Sequence, residues 1–363
     1  MLTILAFIVV LGVVIFVHEL GHFLAAKSVG IRVEVFSLGY PPKMVAHRRG
    51  ETEYRLGWVP LGGYVKMAGM IDESSAGGQV LTGAPWEFQS KNTLQKLWVI
   101  CAGVLMNLVL GALIYTGIAA VKGLAEPSPE AVVGDLTPGW PAEAAGLKPG
   151  DRIIELDGTP IGTWEDLLNG IRPRAGQELQ IRYQRDGQPG ELRVTPRAQK
   201  TEVDGETREW GLIGIGPEYV FRRASVDQVL LYGVESTAGI VALVAGNLWK
   251  LVTLKVSVRE LGGPLIIAKM SGESARRGLI YLASFIALIS INIGCLNLLP
   301  IPALDGGHMF IIASEGIARR PMPVKARLAV QQVGMFLLLA LIVLVLVNDV
   351  QRIVDFSRLK QLF

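Results

Sequence analysis

Hydropathy along the chain alternates between long apolar runs and one polar stretch of about a hundred residues. Met1–Val17 carries no charge, and the apolar character continues to about Ala26. Leu97–Val121 carries none in 25 residues, and Gly278–Leu304 and Leu328–Asn348 are equally free of charge. A helix needs ~20 apolar residues to cross the hydrocarbon of a bilayer. The pattern therefore predicts four membrane-spanning helices, at 1–26, 97–121, 278–304 and 328–348. Pro300 and Pro302 break the last turn of the third. A shorter apolar run, Ser236–Trp249, has the length of a surface helix, so 222–277 is expected to lie along the outer face of the membrane.

Charge orients these spans. The first lacks a basic segment ahead of its apolar run, and Lys27 and Arg32 follow it, so it reads as an uncleaved span and not as a secretory signal. The loop 27–96 carries nine Lys and Arg, and the loop 305–327 carries Arg319, Arg320, Lys325 and Arg327. Positive loops stay inside. The N-terminus, the polar stretch 127–217 and the tail 349–363 are then expected outside, with Asp305 emerging on the same inner side as the end of the first span.

Composition agrees with this mixture. Half the residues are apolar and 18% are charged, and the mean hydropathy is +0.41. A net charge of +3 without a basic, aromatic-studded run excludes a nucleic-acid partner. Cys101 and Cys295, the two cysteines, both sit in apolar runs and suggest neither a disulfide framework nor a thiolate metal site. Nothing in the sequence sets an oligomeric state.

The first span ends in chemistry. His18-Glu19-Leu20-Gly21-His22 reads H-E-x-x-H, which places two imidazoles one helical turn apart on one face, with Glu19 beside them as a candidate base. Ionisable groups are costly in hydrocarbon and mark function by default. A catalytic zinc takes three protein ligands and leaves one position for water. Of the other histidines, His47 lies in the polar stretch 46–50 and reads as surface, and His308 reads as structural or as a support to a ligand. Asp305 is the stronger third ligand. It follows two helix-breaking prolines and precedes Gly306 and Gly307, and irregular backbone at membrane depth is tolerated where it lines a protein-buried or wet site. Asn107, Gln331 and Gln332 are polar groups within spans that could face the site or, equally well, make packing hydrogen bonds.

The polar stretch 127–217 reads as a soluble module. Pro141–Asp151 suggests a short helix and turn leading into a strand that ends at Asp157-Gly158. Thr163 can cap a helix running through Ile171. Glu178–Arg185 alternates as a strand, and Asp186-Gly187 turns the chain back into Glu191–Thr195. This order, with Trp210–Ile215 strand-like afterwards, resembles a PDZ domain. Such a module binds peptides by strand addition or screens out bulky substrates; both readings stand.

H-E-x-x-H in the first span, N-x-x-P-x-P-x-L-D-G at 297–306 and a PDZ-like module between them together resemble the site-2 protease family, in the bacterial regulator-of-sigma-E-protease arrangement. Pro60–Met67 and Gly262-Gly263-Pro264 add to the likeness. Ala102-Gly103-Val104 departs from it, because relatives often have proline after the glycine, and some relatives carry two PDZ modules. The resemblance implies a polytopic α-helical membrane protein with four transmembrane helices, a membrane-associated β-hairpin and one extracytoplasmic PDZ-like α/β domain, in a bacterial inner membrane. It implies a zinc metalloendopeptidase with Zn2+ held by His18, His22 and Asp305 and with Glu19 as general base. Implied substrates are single-span membrane proteins, such as membrane-bound anti-sigma factors or remnant signal peptides, cut near the cytoplasmic side. Asn297 would then bond the extended substrate, although an interhelical hydrogen bond is the plainer role for it. Thr52–Met67 alternates and contains Gly62 and Gly63, which suits a hairpin with an unpaired edge for substrate pairing, or an ordinary cytoplasmic hairpin. Two rival readings are a membrane-anchored PDZ scaffold with an inert metal motif, and a tethered zinc peptidase acting on soluble proteins.

Overall fold

The structure is a computed structural model that describes residues 1–70, 82–203, 206–253, 262–320 and 322–353. In chain order the first elements are α1 (Leu2–Ser28), β1 (Val33–Arg49), β2 (Thr52–Met67) and α2 (Thr93–Lys122). Next come β3 (Leu124–Pro127), β4 (Val133–Leu136), α3 (Pro141–Ala144), β5 (Arg152–Leu156), β6 (Thr159–Pro160) and α4 (Trp164–Ile171). The strands β7 (Leu179–Arg185), β8 (Gln188–Val194), β9 (Arg197–Val203), β10 (Glu206–Leu212), β11 (Ile215–Pro217) and β12 (Tyr219–Arg222) follow. The chain ends in helices α5 (Val226–Val252), α6 (Pro264–Arg277), α7 (Leu279–Asn297), α8 (Asp305–Ala318) and α9 (Val324–Ile353). Two compact units form, Met1–Ile118 with Leu230–Phe363 and, between them in sequence, Ala119–Val229.

Among the described residues, five helices are long and apolar enough to cross a membrane: α1, α2, α5, α7 and α9. All five leave large apolar side chains exposed, for example Leu5, Leu113, Leu243, Tyr281 and Phe336, a surface that suits lipid and not water. The fifth, α5, differs from the fourteen-residue surface helix expected at Ser236–Trp249. It spans 27 residues, because Asp227, Gln228 and Glu235 ahead of the uncharged run are compatible with helix and continue it. A charge ends an apolar run without ending a helix.

Contacts give the helices their directions. Val10 and Val14 of α1 cluster with Phe285 and Ile289 of α7, and further along both helices Asn297 reaches His18, so α7 runs beside α1 in the same sense. Helix α6 runs the opposite way along α1. Its Ile267 joins the same cluster, and Gly272 lies so near Thr3 that a Cβ would fall 2.5 Å from the Thr3 hydroxyl. Helix α5 starts beside the C-terminal half of α2, with Gly233 against Ala112 and Thr116, and its Val244 reaches Ile291 and Cys295. The N-terminus of α6 is capped from α9: Asp349, fully buried, accepts from the backbone N–H of Gly263 (2.9 Å), Leu265 (3.0 Å) and Ile266 (3.3 Å). Pro264 has no N–H to satisfy at that first helical position.

The hairpin expected within Thr52–Met67 is larger than the sequence suggested, because Val33–Arg49 forms its other half. Its register doubles back. Arg49 to Lys43 pair with Thr52 to Gly57, while Val33 to Leu38 pair with Met67 to Gly63 on one side and, from Val35, with Glu53 to Leu56 on the other. Among the described residues no strand lies on the far side of Gly63–Met67, which leaves that edge open. The hairpin's Met44, Val45, Leu56 and Trp58 are exposed.

A second correction concerns Asp305. It does not end the third apolar helix, which stops at Asn297, and the expected loop 305–327 contains α8. Pro300 and Pro302 force the chain out of helix for seven residues, and Asp305 then opens α8, where a carboxylate suits the positive helix end. The fourth span is longer than 328–348, as α9 continues through Ile353. The rest of the tail lies outside the described residues.

In the unit Ala119–Val229, β5, β7 and β8 pair antiparallel with the short β6 at the edge, over a core of Ile153, Leu156, Leu167, Leu179 and Ile181. Strands β9 and β10 form a hairpin, and β11 pairs with β4. Buried Asp151 holds this unit's loop by accepting from Arg185 Nε (2.7 Å) and from the Lys148 backbone N–H (2.7 Å). Thr163 caps α4 through a reciprocal box: its hydroxyl accepts from the Asp166 N–H (3.1 Å), and the Asp166 carboxylate accepts from the Thr163 N–H (2.9 Å). The Thr163 hydrogen bonds hold the Asp166 carboxyl below the ordinary carboxylate range. Replacing Thr163 with Ala is expected to destabilise α4 by ~1 kcal/mol, seen as faster amide exchange at 164–171 in the full chain. A carboxyl with a lowered folded pKa stabilises above its unfolded value and loses that contribution as pH falls through the folded one. The difference between wild type and variant should therefore persist at neutral pH and shrink below about pH 4.

Candidate metal centre

Three elements deliver the site. Helix α1 carries His18 and His22 on its buried face, and the turn after α7 returns Asp305 to them at the start of α8. Asp305 Oδ2 lies 3.1 Å from His18 Nε2 and 3.4 Å from His22 Nε2, and the two Nε2 atoms are 3.3 Å apart. These three residues are the one group of His, Cys, Asp and Glu among the described residues with metal-holding proximity. A tetrahedral ion bonded to each donor at ~2.0–2.1 Å requires donors about 3.3 Å apart. The triangle matches that spacing.

The backbone explains the convergence. A Cβ on Gly306 would fall 2.2 Å from the Leu299 carbonyl oxygen, and one on Gly307 would fall 2.3 Å from that of Ile301. Only glycines let α8 start pressed against the 298–302 turn, which aims Asp305 back at α1. Across the site, a Cβ on Gly21 would lie 2.3 Å from the Ala102 carbonyl oxygen, and one on Gly103 would lie 2.4 Å from His22 Nε2. Paired glycines thus let α1 and α2 touch at backbone distance and leave room for the imidazoles.

The rear nitrogens of both imidazoles are held. His22 Nδ1 is 2.9 Å from the Val99 carbonyl oxygen, so it must donate, which leaves the Nε2 lone pair for a ligand bond. The Asn107 amide stands 3.3 Å from His18 Nδ1 through Nδ2, while its Oδ1 is buried with no hydrogen-bond partner. Turning this amide end for end resolves both facts, because amide orientation is an assignment. Oδ1 then accepts from His18 Nδ1–H, and Nε2 is again free to bind. Asp305 Oδ2 is likewise buried without a hydrogen-bond partner of its own. An orphaned carboxylate oxygen facing two imidazole lone pairs is what a cation site looks like when the cation is subtracted, and these residues fit zinc.

A small cavity of about 160 Å3 beside the triangle is lined by Glu19, Gly63, Tyr64, Val65, Met67, Leu304 and His308, among others. Glu19 and Gly63 are close neighbours; a Cβ on Gly63 would lie 3.0 Å from Glu19 Cγ. The open strand edge of the hairpin therefore passes directly along the candidate base. Asn297 Nδ2 is 3.2 Å from His18 Nε2, at the rim of the donor triangle. Gly62 is not in this lining: it faces the Tyr40 ring, which a Cβ would meet at 2.2 Å. His47 is exposed on the hairpin. Residue patterns alone missed Gly103 and the Val99 carbonyl, and left Asn107 undecided between facing the site and a packing hydrogen bond. One signal was present, since Gly103 and Asn107 are four residues apart and share a helix face.

Two imidazoles and a carboxylate with one position left for water are the donor set of a zinc metallopeptidase. The chain belongs to peptidase family M50, whose model matches residues 6–341, nearly the whole sequence. It is similar to the zinc metalloprotease RasP of Geobacillus kaustophilus, 32% identical over 96% of this chain and 98% of that one. It is also similar to the regulator of sigma-W protease RasP of Bacillus subtilis, 30% identical over 97% of this chain and 99% of that one. Among solved structures, the PDZ domain of the SdrC-like protein from Listeria monocytogenes aligns with 26% of this chain and 93% of its own, at 20% identity and a TM-score of 0.20. The protein is a zinc metalloprotease of the site-2 protease family.

The supports behind the imidazoles give a direct check. Asn107→Leu is expected to weaken zinc binding roughly 10–100-fold, as loss of a ligand's hydrogen-bond partner does in other metal sites. Gly103→Ala should lower zinc content at least as far, because its methyl group occupies imidazole space. Metal analysis of purified variants against free zinc reads both; unchanged affinity would remove Asn107 and Gly103 from the site.

Proposed function

We propose that this protein is an intramembrane protease that cuts within the transmembrane segments of single-span proteins, as a step of regulated intramembrane proteolysis. The observation that carries the reading is where the donors come from: both imidazoles from an apolar helix, and the carboxylate from the turn that ends another. A zinc peptidase acting on soluble chains would have no reason to place its metal between membrane-length helices. The relative named a regulator of sigma-W protease favours single-span regulators, such as membrane-bound anti-sigma factors, over remnant signal peptides.

Crossing parity supports an active site near the cytoplasmic face. Helices α1 and α7 run in parallel into the site, so each enters from the outer side. Helix α5 leads inward from that side and α6 leads back along α1, so the pair counts as an excursion, and four full crossings remain. The basic loops then lie inside, and the PDZ-like module, 127–217, lies outside the inner membrane. The exposed apolar tip of the hairpin suits contact with lipid.

When bound, zinc supplies a Lewis acid for the scissile carbonyl and brings the pKa of water toward ~7. The rest is done by side chains and backbone. His18, His22 and Asp305 hold the ion, and Asn107 and the Val99 carbonyl fix the ring orientations. The Glu19 carboxylate takes a proton from the attacking water and returns it to the nitrogen of the leaving amine. A helical substrate keeps its carbonyls in internal hydrogen bonds, so it must unwind before attack. The open edge Gly63–Met67 offers the unwound segment backbone partners in place of those it gives up, and the Asn297 amide bonds it at the rim. The absence of a side chain on Gly63 lets that strand come within reach of Glu19.

Glu19→Gln keeps shape and removes the base. Cleavage of a reporter transmembrane segment should fall ~10²–10⁴-fold, with zinc content unchanged, and shortened single-span proteins should accumulate, trapped, in the membrane proteome of cells carrying the variant. Full cleavage by the variant would end this mechanism; absence of zinc from the wild type would favour the scaffold reading.

A further inference from the structure

The catalytic cavity holds one polar side chain that the proposed chemistry leaves without a role. Among the described residues that line it, His18, His22 and Asp305 fit the metal and Glu19 is the base; only Tyr64 and His308 bring a further side-chain N–H or O–H. Tyr64 turns away. Side chains alternate across a strand, and a Cβ on Gly63 would be the one facing Glu19, so Tyr64 projects from the opposite face. Its hydroxyl there accepts from Arg55 Nη1 at 3.3 Å. Arg55 is not in the catalytic lining; it lines a larger cavity of about 570 Å3 that shares Tyr64, Val65, Ala303 and His308 with the catalytic one. The half-buried His308 thus stands where the two spaces adjoin. Asn297 lies at the rim and not in this lining.

Helix α8 fixes the direction of the His308 imidazole. Asp305, His308, Met309 and Ile312 follow the i, i+3, i+4, i+7 spacing of one helix face. The other three show where that face looks. Asp305 reaches the two imidazoles of α1, Met309 Sδ is 3.8 Å from Cys101 Sγ of α2, and Ile312 packs with Ala25, Val99 and Ile100. Gly306 and Gly307, pressed onto the 298–302 turn, hold the helix in this rotation. One turn beyond Asp305, His308 therefore faces the space between the donor triangle and the Tyr64-Val65 stretch of the hairpin.

We infer that the imidazole N–H of His308 donates to the carbonyl oxygen of the scissile peptide bond and stabilises the charge that gathers there. The inference rests on the protease reading and deepens it. A segment paired along Gly63–Met67 lies between Glu19 on the α1 side and His308 on the α8 side. When water attacks the carbonyl carbon, the π pair of the C=O bond moves onto oxygen and one water proton goes to Glu19. That proton then passes to the nitrogen, the C–N bond breaks as the carbonyl re-forms, and a carboxylic acid and an amine result. His308 keeps its own proton throughout. Its hydrogen bond strengthens as the oxygen becomes negative, and a donor fixed on a helix needs no reorganisation at the moment of reaction.

The test uses the full-length, zinc-loaded protein, a single-span reporter, and a phosphinic peptide of the reporter's cleavage sequence as a mimic of the tetrahedral state. Leucine and glutamine differ little in size, so His308→Leu and His308→Gln separate the N–H from packing. His308→Leu should lower kcat ~10²–10³-fold, with KM and zinc affinity close to wild type. It should weaken binding of the phosphinic peptide by a similar factor, because such mimics report transition-state interactions. His308→Gln, which presents an amide N–H, should recover a large part of both losses. Zinc lost from both variants makes His308 a support for Asp305, and a rise in KM alone makes it a substrate-binding group; either overturns the assignment. So does a fall in kcat that glutamine does not relieve, or unchanged binding of the phosphinic peptide. Failure of the protease reading looks different: cleavage then survives Glu19→Gln, whatever stands at position 308.

Discussion

Placing a carboxylate and two imidazoles 3.1–3.4 Å apart among apolar helices removes polar groups from water, at several kcal/mol for an uncompensated ion. A cation held among them reverses that balance, and much of the surrounding architecture makes sense as the means of holding it. Gly21 and Gly103 bring α1 and α2 to backbone contact. Gly306 and Gly307 press α8 onto the proline turn. Val99 and Asn107 fix the rings from behind. Each feature is small, and each would be a defect in an ordinary helix bundle, because glycine and buried asparagine weaken helices unless a close approach or a hydrogen bond compensates.

The hairpin solves a different problem. A protease needs an extended substrate, and a membrane favours helix because every backbone group must be satisfied internally. In the proposed reading, the strand edge beside Glu19 would supply backbone partners at the point where the substrate must give up its own. The same geometry explains why the sheet doubles back upon itself: Val33–Leu38 is paired on both sides, so Gly63–Met67 is the edge left open toward the site. Gln331 and Met335 of α9 line the larger cavity that adjoins the site.

Much of this was legible in the residues because it rests on local rules. Two histidines four apart with a glutamate between them fix a face of a helix, and prolines followed by Asp-Gly-Gly fix a break with an acid in it. The threonine cap at 163 and the turn at Asp186-Gly187 were equally readable. What stayed hidden depends on contacts between distant segments. The length of α5 could not be taken from the uncharged run, since the flanking polar residues are as helical as the apolar ones. That Asp305 opens a helix instead of closing one follows from how Gly306 and Gly307 dock on the turn. Asn107 and Gln331 look alike in sequence as polar residues within apolar runs, and only the three-dimensional neighbours separate a group that orients a ligand from one that lines a cavity.

X-ray absorption at the zinc edge of the purified protein tests the central claim most directly, because it reports which atoms surround the ion without reference to activity. The account predicts about one zinc per chain, with two imidazole nitrogens and one carboxylate oxygen at ~2.0–2.2 Å plus a light-atom ligand from solvent, and loss of the oxygen shell from the protein when Asp305 is replaced by Ala. Sulfur in the coordination shell, or an unchanged shell after that replacement, would show that the two distant segments do not share one ion.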